Sequence, residues 1–269
     1  MLVKDGQEKV ALNWDVTSDD YIIHRRGYPG SFFRLIRQFG IGMPWQQILD
    51  IGTGTGALAF PLARQHSFVT GVDISPGQIA TARRMAEKDG LDIRFIVAPA
   101  EDIDLGNERF DVITASMCWD YFDRQRILKM IGNYLHRDGV LMLSHIIWKS
   151  DSSDIVRATE ELVSHFNRSF LGFHSEERVA HWGVIPEWSA KSFQLQTYHR
   201  YTENIAFTHK SWRGRFRASK WIGAALSEDD TRAFDSELQR ILNRTVPEKF
   251  FVPHNIVVQI FRRNNPRFV

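Results

Sequence analysis

Cysteine is the scarcest useful residue of this chain: Cys118 stands alone among 269 residues. A single thiol excludes an intrachain disulfide and a cysteine metal cluster. The 10 histidines are scattered without ligand spacing, so no metal is expected. Charge of one sign is also missing. A formal net charge of +2 gives no reason to expect nucleic acid or an anionic membrane surface as a partner. Long apolar runs are absent too; the longest, 140–148, is interrupted by Ser144 and His145 and is far too short to span a bilayer. Residues 1–10 are charged and carry no apolar core of a secretory signal, so a cytoplasmic protein is expected. There are no repeats, no low-complexity tracts and no Gly-x-Ser-x-Gly elbow to support a hydrolase. What is present is an ordinary globular composition, 43% hydrophobic and 25% charged, sufficient for one domain or one domain with a cap.

Strand and helix patterns alternate from about residue 31 to 148. Phe32, Phe33, Ile36 and Phe39 mark a helix ending at Gly40. Strands are expected at 48–50, 68–72, 93–97, 110–117 and 140–147. Helices are expected through Leu58 and Leu62, from Pro76 to Gly90, and from Asp123 to Gly139. Such alternation with short connections predicts a parallel sheet covered by helices on both faces, with ligands outside the carboxyl ends of its strands. Beyond Trp148 the pattern loosens. Strands are expected at 193–201 and 255–261, with helices at 211–220 and 227–242.

The most informative segment is Asp50-Ile51-Gly52-Thr53-Gly54-Thr55-Gly56, which follows the apolar strand. Alternating glycines let the backbone turn tightly and let a ligand approach main-chain N–H groups. An acid ahead of the glycines is not part of the plain dinucleotide fingerprint. It favours a cationic ligand over a pyrophosphate, and so points to S-adenosylmethionine (SAM), which carries an ammonium and a sulfonium. Asp50 could neutralise the ammonium, directly or through water, or simply cap the loop. Asp73 closes strand two at roughly the 20-residue distance of a ribose-binding acid, which SAM and NAD would both use. Glu101-Asp102, after strand three, could accept from an adenine amino group and tilts the choice toward SAM.

With these elements in place, the chain resembles the class I SAM-dependent methyltransferases over nearly its full length. The glycine segment is similar to that family's first motif, 69–75 to its second, Ala100-Glu101-Asp102 to the acidic turn, and 110–116 to the fourth-strand motif. Leu135-His136-Arg137-Asp138-Gly139 resembles the turn into strand five, with Arg137 and Asp138 replacing the usual Pro and Gly. Tyr21 to Pro29, Cys118-Trp119-Asp120-Tyr121-Phe122-Asp123, 211–215 and Pro253-His254 resemble the trans-aconitate-methyltransferase-like subgroup, whose acceptors are varied small molecules. Arg26, Asp120 and Tyr121 depart from that pattern.

The resemblance implies a Rossmann-like, doubly wound α/β fold: a mostly parallel seven-stranded sheet with its last strand antiparallel, plus a helical cap. In these terms 1–30 is an N-terminal lid, 31–149 the SAM-binding core, 150–192 and 205–250 cap insertions, and 193–204 and 254–263 closing strands. It implies cofactor contacts at Tyr21, Arg25, Asp50, Gly52, Thr53, Gly54, Gly56, Asp73, Ile74, Ala100, Glu101, Asp102 and Ser116. Tyr21 and Arg25 would close over the methionine end, or form a solvated arm.

Methyl transfer from a sulfonium chiefly demands in-line alignment, and a base only where the acceptor arrives protonated. Asp120 and His145, both expected at the carboxyl ends of strands four and five, are the candidate bases; either could instead be structural. Trp119, Tyr121 and Trp148 would wall the acceptor pocket or belong to the core. Arg215, within the basic segment Arg213, Arg215, Arg217 and Lys220, would meet an anionic acceptor, or the segment would pair with Glu228-Asp229-Asp230. The expectation is a SAM-dependent enzyme, monomer or homodimer, methylating oxygen, nitrogen or carbon of a small molecule, with no nucleic-acid or membrane partner. The rivals are a nicotinamide-dependent oxidoreductase and a SAM-binding protein without turnover.

Overall fold

The computed structural model describes residues 27–173, 180, 182, 185–219 and 221–264. Tyr21, Arg25, Lys220 and most of the expected lid lie outside them. Among the described residues the chain forms two compact units: 27–145 with 182–200 and 256–264, and 146–173 with 201–255. Among the described residues no helix is long and apolar enough to cross a membrane.

The chain runs α1 (Gly30–Gln38), β1 (Gln47–Ile51), α2 (Ala59–Arg64), β2 (Phe68–Asp73), α3 (Pro76–Asp89), β3 (Ile93–Val97), β4 (Phe110–Ser116), α4 (Arg124–Tyr134) and β5 (Leu135–Trp148), the last of which leaves the first unit after His145. Later come β6 (Phe193–Thr208) and β7 (Lys249–Arg263), giving one seven-stranded sheet in the order β3-β2-β1-β4-β5-β7-β6. Six strands are parallel and one antiparallel, as the family resemblance implies. Ile48 aligns with Val69 of β2 and Val112 of β4, and Ile48, Leu49 and Ile51 are fully buried. That continuous burial is what a parallel strand covered on both faces requires.

Local chemistry fixes the helices that flank the strand ends. Ser75 accepts from the Gln78 N–H at 3.2 Å and Pro76 supplies a preset first turn to α3. Asp123 caps α4 by accepting from the Arg126 N–H at 2.9 Å. Pro61 falls in the first turn of α2, where a backbone donor has no helical partner to lose. The helix expected to reach Gly139 stops at Tyr134. Leu135 already pairs with Phe110, the exposed 136–138 stretch forms an irregularity, and pairing resumes between Val140 and Val112. β6 and β7 are also longer than their sequence patterns, because β7 continues through Pro253, whose carbonyl accepts from the Lys149 N–H at 2.8 Å.

The second unit packs α5 (Asp154–Phe166), α6 (His209–Arg217) and α7 (Glu228–Thr245) around an aromatic core of Trp148, Phe207, Trp212, Phe216 and Phe234. Thr208 and Ser211 form a reciprocal capping box at the start of α6. The ion pairing expected between the basic segment and Glu228-Asp229-Asp230 has other partners. Arg213 and Arg217 both meet Asp235, one helical turn deeper in α7, while Arg232 takes Asp229 and Glu228. Residues three or four apart within α7 are the nearer partners, which is why the acidic cluster turns to Arg232.

Candidate functional site

The glycine segment leaves β1 and turns back on itself with Gly52, Gly54 and Gly56 at φ +65°, +59° and +86°. Two of these glycines are also fixed by space. A Cβ on Gly52 would lie 2.7 Å from Cys118 Sγ, and one on Gly56 would lie 2.5 Å from the Phe60 ring. The loop is tied down from β2: Thr53 N–H donates to the Val72 carbonyl at 3.0 Å, and Gly54 N–H donates to Asp73 Oδ2 at 2.8 Å. The other oxygen of Asp73 accepts from the Ser75 N–H at 2.9 Å. Asp73 thus orders the loop and the start of α3 at once. The next residue, Ile74, is 46% exposed.

Asp50 is buried beneath this loop. Its Oδ1 accepts from the Thr114 hydroxyl at 2.6 Å, whereas Oδ2 has no hydrogen-bond partner among the described residues. Burial pushes its pKa up to about 6, against the opposing pull of the Thr114 and Thr53 hydroxyls. The Thr53 hydroxyl is buried near enough to Asp50 to oppose that shift, yet makes no hydrogen bond within 3.5 Å. A carboxylate oxygen and a hydroxyl left unsatisfied in the interior are rare in native proteins and call for an explanation. A ligand ammonium fits both: it carries donors for the two oxygens and the charge that Asp50 lacks a partner for.

The acidic turn Ala100–Asp102 faces the start of α4. Glu101 accepts from the Asp123 N–H at 3.0 Å, and Asp102 forms an exposed ion pair with Arg126. Ala100 is buried. At the end of β4, Ser116 Oγ accepts from the Tyr28 hydroxyl at 2.7 Å and sits against the Ser144 hydroxyl. Met117 follows in a left-handed conformation, φ +63°, and turns the chain into the Trp119–Tyr121 helical turn. Cys118 donates to the Ile51 carbonyl at 3.1 Å; burial holds its thiol pKa well above the usual value, so it packs rather than reacts.

Of the two candidate bases, Asp120 is exposed in that turn. His145 lies three residues before the end of β5 at Trp148; its ring packs 3.5 Å from that of Trp182. Trp119 is 1% exposed and meets Arg124 and Trp188. Tyr121 is half-buried beside it in the turn. Trp148 and Arg215 belong to the second unit, where the guanidinium lies 4.8 Å over the indole. Sequence reasoning gave no part to Tyr28, Thr114 or Arg124. Tyr28 lies inside a quoted motif, and Thr114 could have been sought as a cross-strand neighbour of Asp50. Arg124, by contrast, has no local signal.

Residues 48–139 match the methyltransferase domain family. The chain is 32% identical over 168 residues to the ubiquinone biosynthesis O-methyltransferase of Nitrobacter winogradskyi, covering 54% of this chain and 64% of that one. It spans less than two thirds of the length of the curated relatives it matches. Among solved structures, a SAM-dependent methyltransferase from Thiobacillus denitrificans superposes with a TM-score of 0.55 at 16% identity, over 96% of this chain and 100% of that one. One from Geobacter sulfurreducens superposes with a TM-score of 0.52 at 16% identity, over 91% and 96%. Both were crystallised with S-adenosyl-L-homocysteine, and both share the fold described above. The match to the methyltransferase domain falls on 48–139, the stretch that carries β1, the glycine loop and the acidic turn, on a fold shared with these two structures.

Proposed function

We propose that this chain is a SAM-dependent methyltransferase acting on oxygen, nitrogen or carbon of a small molecule. The observation that carries the reading is the buried Asp50 carboxylate with Oδ2 unpartnered under the glycine loop. A dinucleotide would set its phosphates against that negative charge; an amino-acid ammonium would neutralise it. In this reading Asp50 and Thr53 hold the ammonium, and Gly52, Gly54 and Gly56 give the ligand close access to the backbone. Asp73 holds the ribose hydroxyls with the lone pairs its two loop bonds leave free. Ile74 and Ala100 flank the adenine, and Glu101 or Asp102 accepts from its amino group. Ser116 orders the turn toward the acceptor.

When bound, SAM supplies an activated methyl on sulfonium sulfur, so the protein's task is to position the acceptor and exclude water. Asp120 and His145 remain the proposed proton acceptors for an acceptor that arrives protonated. Trp119, Tyr121, Trp148 and Arg215 are proposed acceptor contacts, and Tyr21 and Arg25 the closing residues. We assign 1–30 as lid, 31–149 as cofactor core, 150–192 and 205–250 as the acceptor-selecting cap, and 193–204 and 254–263 as closing strands. The finer placement, in the trans-aconitate-methyltransferase-like subgroup as a cytoplasmic monomer or homodimer, rests on the 118–123 and 211–215 motifs and on composition.

Calorimetry with S-adenosylhomocysteine and NAD tests the reading. Wild type should bind the former and not the latter. Gly54→Val and Asp73→Ala should each weaken binding more than about 100-fold, the first by forcing a branched residue to positive φ and the second by freeing the loop. Tight binding that survives both changes in folded protein would overturn it. Mass spectrometry of a metabolite extract incubated with labelled SAM separates an enzyme, which labels an acceptor, from a binding protein, which labels none.

A further inference from the structure

Arg124 opens α4 in an unfavourable place. A cation at the first helical position faces the positive end of the helix dipole. Its guanidinium carbon lies 4.5 Å from the Trp119 ring and 5.8 Å from that of Trp188, and the two indoles are themselves 5.1 Å apart. Trp188 in turn packs 5.0 Å from Phe261. Burial among these rings holds the Arg124 pKa below its ordinary value, and Asp120 opposes the shift only through space. Nη1 is buried with no hydrogen-bond partner, and so is Nε1 of Trp119, a side chain 1% exposed. Two N–H donors, one of them cationic, are therefore desolvated and unsatisfied in one aromatic stack.

The stack is joined to the cofactor loop. Trp119 packs edge-on to Phe122 at 6.3 Å, and a Cβ on Gly52 would stand 3.5 Å from Phe122 Cζ. Cation–π contact can hold a guanidinium in place, but it leaves the in-plane N–H groups unsatisfied. A carboxylate satisfies them: it accepts in the guanidinium plane and brings the missing charge.

We propose that Arg124 and the Trp119 indole N–H form a specificity element that grips a carboxylate of the methyl acceptor. The inference rests on the methyltransferase reading and names the substrate class for that site. The gripped oxygens are the handle and not the methylated atom, because an ion-paired, doubly hydrogen-bonded carboxylate is a poor nucleophile. The acceptor therefore carries its nucleophilic atom elsewhere in the same small molecule.

The test is calorimetry on protein saturated with S-adenosylhomocysteine, using benzoate, cinnamate, 3,4-dihydroxybenzoate and succinate, each against its methyl ester. At least one acid should bind tenfold or more tighter than its ester. Arg124→Gln should erase that preference while S-adenosylhomocysteine affinity stays within twofold. Trp119→Phe, which keeps the stack and removes the N–H, should reduce the preference by about threefold to tenfold. Acids and esters that bind alike, acids that do not bind, or a preference that survives Arg124→Gln would overturn the proposal. So would a tenfold loss of S-adenosylhomocysteine affinity in Arg124→Gln, which would give Arg124 to the cofactor's own carboxylate. Failure of wild type to take up S-adenosylhomocysteine would sink the methyltransferase reading before any acid is added.

Discussion

In the second unit, most of the buried polar side chains described find partners close at hand, His254 Nε2 being an exception. The Trp212 indole N–H donates to the Thr159 hydroxyl at 3.1 Å, and that hydroxyl donates to the Ile155 carbonyl at 2.6 Å. Asp235 is held by Arg213 and Arg217, and the His209 ring reaches the Val246 and Pro247 carbonyls. In the first unit, Asp50 Oδ2, Thr53 Oγ1, Trp119 Nε1 and Arg124 Nη1 are buried without hydrogen bonds in or beside the turns that follow β1 and β4, and Gln259 Oε1 on β7 lacks one as well. Desolvated polar groups without partners are costly, and the four at the strand ends are the ones that the proposed ligands would satisfy. The second unit spends its polar groups on internal order.

The largest expected effect tests the second half of that contrast. Trp212 is fully buried among Trp148, Phe207, Phe216 and Phe250. Trp212→Ala should cost about 3–5 kcal/mol of stability by removing a core indole and leaving a cavity. S-adenosylhomocysteine affinity, measured well below the lowered Tm, should stay within twofold. A parallel loss of affinity would show that the second unit also shapes the cofactor site.

Asp50→Asn probes the first half, with stability and binding moving in opposite directions. The folded-state pKa of Asp50 is raised from 3.8 to about 6, so the folded protein holds that proton more tightly than the unfolded chain. Wild-type stability should therefore fall as pH rises from about 4 to about 6. The asparagine keeps an oxygen for the Thr114 hydroxyl and has nothing to ionise. Its gain over wild type should be small below pH 4 and approach about 3 kcal/mol above pH 6. At pH 7.5 the variant should bind S-adenosylhomocysteine at least tenfold more weakly, and the deficit should shrink toward pH 5, where the wild-type carboxyl is itself protonated. Denaturant titration and calorimetry across that range check both slopes. A variant less stable than wild type at pH 8 would mean that Asp50 has a partner in the folded protein.

The same contrast separates what could be seen in the sequence from what could not. The glycine loop, Asp73 and the five parallel strands declare themselves through short-range pattern: apolar runs, then turn residues, at helix–strand spacing. Ser75-Pro76 and Asp123 gave two helix starts directly. The end of α4 did not, because whether Leu135 continues a helix or joins Phe110 is decided by a partner 25 residues earlier. Asp235 as the partner of Arg213 and Arg217 was hidden for the same reason: acidic residues closer in sequence masked the one that faces them in space. Arg124, next to a visible cap, became informative only when two indoles from separate segments closed around it.

The smallest effect expected here has the opposite sign and belongs to the second unit. His254 is fully buried on β7; its Nδ1–H donates to the Val252 carbonyl at 2.8 Å and its ring stacks 5.9 Å from Phe207. Burial, reinforced by the nearby Arg215 cation, lowers its pKa from 6.5 to about 3. The unfolded chain therefore binds this proton more readily than the folded one. The stabilising contribution is whole above pH 6.5 and is lost as pH falls toward 3. At pH 5 about 2 kcal/mol of it should be gone. His254→Phe keeps an aromatic ring against Phe207 and removes the titration, at the cost of the bond to Val252. Its stability relative to wild type should rise by about 2 kcal/mol between pH 8 and pH 5, whatever its offset at pH 8. Over pH 4 to 6, where Asp50→Asn loses its advantage on acidification, His254→Phe should gain one. Denaturant midpoints of the two variants in the same buffers give the comparison directly. Parallel slopes would mean that the buried titratable groups of the two units do not oppose each other.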